Sequence, residues 1–156
     1  MNEIEYGSGL DKIIVKRLLE YYPSHIQWDH ISLTIDEIRE RIHDPVIMEI
    51  EEYFSDYPIT ERVEGKYTKE WHIGRIKYFV NHPEKITPIS IDNDCSNGYI
   101  SGIPIITDGN HRFIAAVIRK DQIIDSYYSG LCDTLDYLIG LTDKPLITDE
   151  FEQILI

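Results

Sequence analysis

The sharpest change of pattern along the chain falls between two apolar segments. Ile103–Thr107 is an apolar run rich in β-branched residues, and Phe113–Ile118 is apolar with the spacing of a helix face. Between them stand Asp108, Gly109, Asn110, His111 and Arg112. This predicts a strand, a tight turn on Gly109 and a helix. Upstream, apolar residues at Leu10, Ile13, Ile14, Leu18 and Tyr21 predict a first helix over residues 10–22, stopped by Pro23. Ser32–Ile35 reads as a short strand, and Thr34 or Asp36 is placed to cap a helix over residues 37–42. Asp44-Pro45 predicts a further helix through Ile47, Ile50 and Tyr53, with Pro at its first position. A polar loop over 55–66 precedes a helix over 69–82 with Trp71, Ile73, Ile76, Phe79 and Val80 inward and His72, Arg75 and Lys77 flanking them. The Asn- and Gly-rich stretch 93–102 is too short for a crossover helix and predicts a hairpin or an irregular connection. A last helix is expected over 131–141 and a tail over 142–156. Strands alternating with helices, then joined by a short connection, give an α+β fold: a small mixed β-sheet flanked by helices.

The turn carries the chemistry. A strand that ends at Asp108-Gly109 and restarts as a helix leaves the first backbone N–H groups of that helix without intrahelical partners, at the positive end of its dipole. Such an end favours a phosphate. Gly109 lets a ligand approach the backbone, Asn110 is a good N-cap, and His111 and Arg112 add side-chain donors in the first turn, Arg112 with a fork that can hold two phosphate oxygens. The same five residues also suit a plain strand-turn-helix junction, in which they serve only as turn and cap.

Composition narrows the setting. The 156 residues, 42% of them hydrophobic, suffice for one globular domain with a real core, so residues 1–156 are read as a single domain with 1–28 as a helical extension and 142–156 as a tail. No apolar stretch approaches 18 residues and the start carries no basic region followed by a hydrophobic run, so no membrane span or signal peptide is expected and the cytoplasm is the expected location. Cys95 and Cys132 lack metal-ligand spacing and are expected as free thiols. The net charge of -13, from 28 acidic and 15 basic residues, weighs against strong non-specific DNA binding, which draws its affinity from Lys and Arg. It is compatible with a local nucleotide pocket aided by Mg2+, and with a surface that docks on a basic partner or imitates nucleic acid. Walker, HExxH and GxSxG patterns do not occur. Tyrosines pair at 21/22 and 127/128, positions suited to core edges or to base stacking.

The Asp-Gly-Asn-His-Arg motif followed by Phe-Ile-Ala-Ala resembles the ParB/sulfiredoxin superfamily, in which such a turn before a helix forms a nucleotide or phosphate site. Residues 86–92 are similar to the strand that precedes the motif strand there, Leu33–Ile38 to the first strand and its helix, and Gln122–Tyr128 to the strand after the motif helix. The resemblance spans residues 30 to 130, and only the five-residue motif is specific. It implies that His111 and Arg112 match residues holding ATP phosphates in sulfiredoxins, and that Asn110 stands where their catalytic cysteine would be. An amide cannot supply that thiol, so sulfiredoxin-type reductase activity is not expected. The acid of the free serine kinase form falls on Asp108. ParB proteins bind cytidine triphosphate at the corresponding turn but carry a helix-turn-helix segment with no counterpart after residue 130 here.

From residues and resemblance together, the expected function is nucleoside triphosphate binding, ATP or CTP with Mg2+, by Gly109, Asn110, His111 and Arg112. Asp108 would hold the metal through water or act with His111 as the catalytic pair, and Asp36 or Glu37 would be a second acid. ATPase, phosphotransferase and nuclease activity share these parts. The alternative is an acidic interaction module, a regulator, inhibitor or nucleic-acid mimic with a vestigial pocket, acting on a protein partner or as a homodimer.

Overall fold

The computed structural model describes residues 6–28, 30–54, 67–96, 98–144 and 151–153. Their contacts divide the chain into two compact units, one drawn from the chain up to Tyr22 and from Thr87 onward, the other Pro23–Ile86. The architecture is α+β, with mixed strand pairing and helices against the sheet, as the alternation of patterns predicts.

The first unit is built on a five-stranded sheet in the order β1-β6-β4-β5-β7. Its strands are β1 (Tyr6–Ile14), β4 (Ile89–Ser96), β5 (Tyr99–Asp108), β6 (Ile123–Leu131) and the three-residue β7 (Phe151–Gln153). β6 runs parallel to β4 and antiparallel to β1, and β5 is antiparallel to both β4 and β7. Stretch 93–102 is thus a hairpin, with β4 and β5 extending into it around Gly98. Burial alternates along β6: Ile124, Ser126 and Tyr128 are buried, Ile123, Asp125 and Tyr127 exposed. The buried face packs under helices α1 (Val15–Leu19), α4 (Asn110–Arg119) and α5 (Cys132–Leu138), with Ile13, Ile89, Ile91, Phe113 and Ile114 at its centre. Such alternation is the mark of a sheet with one face packed and the other open.

The second unit contains the hairpin β2 (Ile26–Trp28) and β3 (Ile31–Leu33), helix α2 (Ile35–Arg41), helix α3 (Lys69–Asn81) and a 3-10 turn at Pro83–Lys85. Thr34 caps α2 in a capping box: its hydroxyl accepts from the Glu37 N–H while the Glu37 carboxylate accepts from the Thr34 N–H. Leu33, Ile38, Ile42, Ile73 and Ile76 are fully buried.

Two predicted helices are not formed. The N-terminal helical extension is instead strand β1 followed by the five-residue α1, with β2 completing residues up to 28. Nine consecutive residues of β1 pair with β6, which places Ile13 in the core and leaves Leu10 more than half exposed. A helix would put both on one face; cross-strand pairing, with the β-branched Ile13 and Ile14 at the strand's end, gives the strand instead. Residues 44–53 form turns rather than a helix. Asp44 Oδ1 accepts the Val46 N–H at 2.9 Å, the Ile50 N–H goes to the Gly74 carbonyl on α3, and side chains of α3 collect the carbonyls: Lys77 those of Asp44 and Ile47, Arg75 those of Ile50 and Glu51. Gly74 is required there, because a Cβ would lie 2.1 Å from the Met48 carbonyl oxygen. Arg75 and Lys77, expected to flank the inward face, thus bind backbone carbonyls of the fold, and His72 is fully buried and stacks on Trp28 at 4.3 Å. The loop predicted over 55–66 lies outside the described residues, as does most of the tail beyond 144.

Candidate functional site

Strand β5 ends at Asp108, and Gly109 turns the chain with φ 103° and ψ 26° into α4. Glycine is demanded twice here. The left-handed conformation disfavours any Cβ, and a Cβ would lie 2.5 Å from Ile89 Cγ2 and 2.8 Å from Ile89 Cβ. Gly109 itself is the N-cap residue, with no side chain to cap the helix, and Asn110 is the first residue of the helix rather than its cap. The first intrahelical bond runs from the Phe113 N–H to the Gly109 carbonyl at 2.9 Å. The N–H groups of Asn110, His111 and Arg112 therefore precede the intrahelical ladder, where an anion would meet them.

The side chains around this turn are differently disposed. Asp108 is exposed, with 69% of its side chain accessible, whereas Arg112 is only 14% accessible and His111 is buried. The Arg112 guanidinium sits among four oxygens. Nη1 donates to the Thr87 carbonyl at 3.0 Å, the Thr87 hydroxyl at 2.7 Å and the Pro88 carbonyl at 2.7 Å, and Nη2 donates to Asp108 Oδ2 at 3.1 Å. Arg112 thus ties the first turn of α4 to the segment entering β4, and Asp108 supplies a carboxylate beside both the guanidinium and the helix N-terminus. That carboxylate already fills the role a phosphate oxygen would take.

Asn110 is held by Tyr22, which the sequence marks as one of a tyrosine pair but not as a partner of the turn. Tyr22 donates its hydroxyl to Asn110 Oδ1 at 2.6 Å and packs its ring on Phe113 at 4.9 Å. Thr87 and Pro88 were likewise missed, since each reaches the turn through the tertiary fold and no local pattern marks it. Burial pushes the Tyr22 phenol well above its ordinary value of 10. The folded state therefore holds a proton that the unfolded chain releases above pH 10, so this contribution is complete below pH 10 and is lost as pH rises beyond it. In urea unfolding at neutral and alkaline pH, Tyr22→Phe should cost about 1 kcal/mol at neutral pH through the lost hydrogen bond and show a shallower alkaline loss than the parent. Tyr21 and Tyr137, also raised, leave a residual slope.

The candidate second acids are committed elsewhere in the second unit: Glu37 to its capping box and to Lys69 at 3.6 Å, Asp36 to Arg39 at 3.4 Å. The Thr34 backbone N–H holds the Glu37 carboxyl below its ordinary value. Among the described residues, no group of three or more His, Cys, Asp and Glu is placed to hold a metal ion. Magnesium at Asp108 would need phosphate oxygens and water to complete its shell, which is its usual habit. The residues thus fit a single phosphate group with its metal. Neither Cys95 nor Cys132 forms a disulfide among the described residues. No described helix is long and apolar enough to cross a membrane. Compared with known proteins, the chain matches no family model, no curated protein and no solved structure.

Proposed function

We propose that the chain is a nucleotide-binding protein of ParB/sulfiredoxin-like type that holds the phosphates of ATP or CTP at the start of α4. The observation that carries this reading is the strand-glycine-helix junction: β5, a left-handed Gly109 and three leading N–H groups of a ten-residue helix, with Arg112 and Asp108 at its mouth. In this reading the N–H groups of Asn110, His111 and Arg112 bind phosphate oxygens. Arg112 turns one arm of its fork from Asp108 to the ligand, and Asp108 holds Mg2+ through water or accepts a proton. Magnesium, when bound, would offset the repulsion between Asp108 and the phosphates. Whether the bound nucleotide is hydrolysed, transferred or used as a switch is then read from turnover assays.

Because Arg112 also clamps Thr87 and Pro88, its removal would mix stability with binding, and Asp108→Asn separates the two. Nucleotide at a hundred times its Kd adds about 2.7 kcal/mol to the folded state, a melting shift of roughly 5–10 °C for a chain of this size. Asp108→Asn should strengthen the response to nucleotide without metal, since the competing carboxylate is gone, and abolish the extra gain from Mg2+. If neither the parent nor folded Asp108→Asn responds to any nucleoside di- or triphosphate, the reading fails. A second reading, an acidic interaction module, is favoured by a separate observation: the Arg112 guanidinium already donates to four protein oxygens, while a face of the sheet stands open.

A further inference from the structure

Across the open face of the first unit's sheet, strand register brings four strands into two transverse rows. In one row Ile105, Asp92, Ser129 and Ser8 are successive partners; in the next Asp108, Ser90, Tyr127 and Leu10 are. Between the rows lies a groove of about 290 Å3 bordered by Ser8, Ser90, Asp92, Thr107, Tyr127 and Ser129. Leu10, Ile105, Ile123 and Tyr127 are each 41% to 57% exposed on these same four strands. Leu10 and Tyr127 are cross-strand partners, so their exposed apolar surface is contiguous rather than scattered.

The groove's chemistry selects its occupant. Among the described residues that line it, Asp92 supplies the one carboxylate, the other polar side chains carry hydroxyls, and there is no Lys or Arg. Lys12, in the neighbouring row of β1, is paired across the strands with Asp125 at 3.2 Å and so adds no net charge to the face. The volume lies at the lower limit of small-molecule pockets, roughly 300–1,000 Å3, and suits one long side chain better than a whole nucleotide. The net charge of -13 repels a second copy of the chain and any nucleic acid, and attracts a basic polypeptide.

We infer that the open sheet face is the docking surface for a basic segment of a partner protein. An Arg or Lys of that segment enters the groove to meet Asp92, its stem crosses the Tyr127 ring, and flanking apolar residues of the segment cover Leu10 and Ile105. This assignment stands independently of the nucleotide reading, because none of its contacts involves the donors of the α4 turn.

The test is fluorescence anisotropy with labelled hexa-arginine at low and high salt, on the whole chain. Asp92→Asn and Tyr127→Ala should each weaken binding about tenfold, the scale of one charge-assisted contact. Asp143→Asn, which removes an almost fully exposed carboxylate outside the groove, should leave it unchanged. Backbone amide shifts in NMR should centre on residues 8, 90, 92 and 129. Circular dichroism checks each fold, and Tyr127→Ala, at an exposed site, secures the result should Asp92→Asn be destabilised. Equal weakening by all three variants would show diffuse charge attraction and overturn the assignment. So would absence of binding, sedimentation showing self-association through this face, or nucleotide shifting the same amides.

Discussion

Replacing Gly109 by alanine should lower the melting temperature by roughly 6–12 °C. The expected loss is about 3 kcal/mol, and each kcal/mol moves the midpoint of a chain this long by roughly 2–4 °C. Two costs combine. Holding a non-glycine residue in the left-handed region costs about 1–2 kcal/mol, and the new methyl would meet Ile89 at 2.5 Å and 2.8 Å, in a core position with no exposure, which adds the roughly 1–3 kcal/mol of overpacking. Gly98→Ala separates the two terms. Gly98 has φ +80° and nothing within 4 Å of the added Cβ, so it should show the backbone cost alone. If both variants melt together, the steric account of Gly109 is wrong. Gly109→Ala should also shift Asp108 and Arg112, which lie on either side of it, and so erase any response to nucleotide.

This junction was legible in the sequence because its determinants are local. A β-branched run, one glycine and a helical apolar stripe lie within sixteen residues, Ile103–Ile118, and β5, the turn and α4 formed where they point. What surrounds the junction was not legible, because it is written in long-range pairing. Residues 10–14 have apolar spacing that satisfies a helix, and only pairing with β6, such as Lys12 on Asp125 across 113 positions, makes them a strand. Residues 44–53 were lost to the helix by carbonyl capture from Arg75 and Lys77.

The same division runs through the candidate site. Asp108 and Arg112 were found by their place beside the turn, but the use of Arg112 as a clamp on Thr87 and Pro88, the support of Asn110 by Tyr22 and the groove over four strands all depend on register. Sequence pattern identifies which donors are available; the fold decides which oxygens reach them first. At Arg112 those oxygens belong to the protein, so a phosphate must compete with Asp108 rather than enter a vacant fork.

Asn93→Leu should be the most damaging substitution beneath the open face, lowering stability by about 3 kcal/mol. Asn93 is 2% exposed and holds three elements together: its Oδ1 accepts the Tyr128 hydroxyl at 2.6 Å and the Leu131 N–H at 2.8 Å, and its Nδ2 donates to the Thr134 hydroxyl at 3.2 Å. Tyr128 can turn its hydroxyl to the Leu131 carbonyl at 2.7 Å, and Thr134 keeps its bond to the Gly102 carbonyl. The Leu131 N–H has no such alternative in the network. A buried donor left unsatisfied costs about 1–3 kcal/mol, and the branched leucine must also occupy the space beside Gly130, where even a Cβ on that glycine would meet Asn93 Oδ1 at 2.0 Å. Urea unfolding measures the loss, and a destabilisation below about 1 kcal/mol, the low end for an orphaned donor, would show that water or a shifted backbone replaces the amide. Because Asn93 joins β4 to β6 directly after Asp92, amide exchange at Asp92 and Ser129 should accelerate as well. The polar network on the packed face then sets the spacing of the groove residues on the open one, which links the stability of the core to the shape of the proposed docking surface.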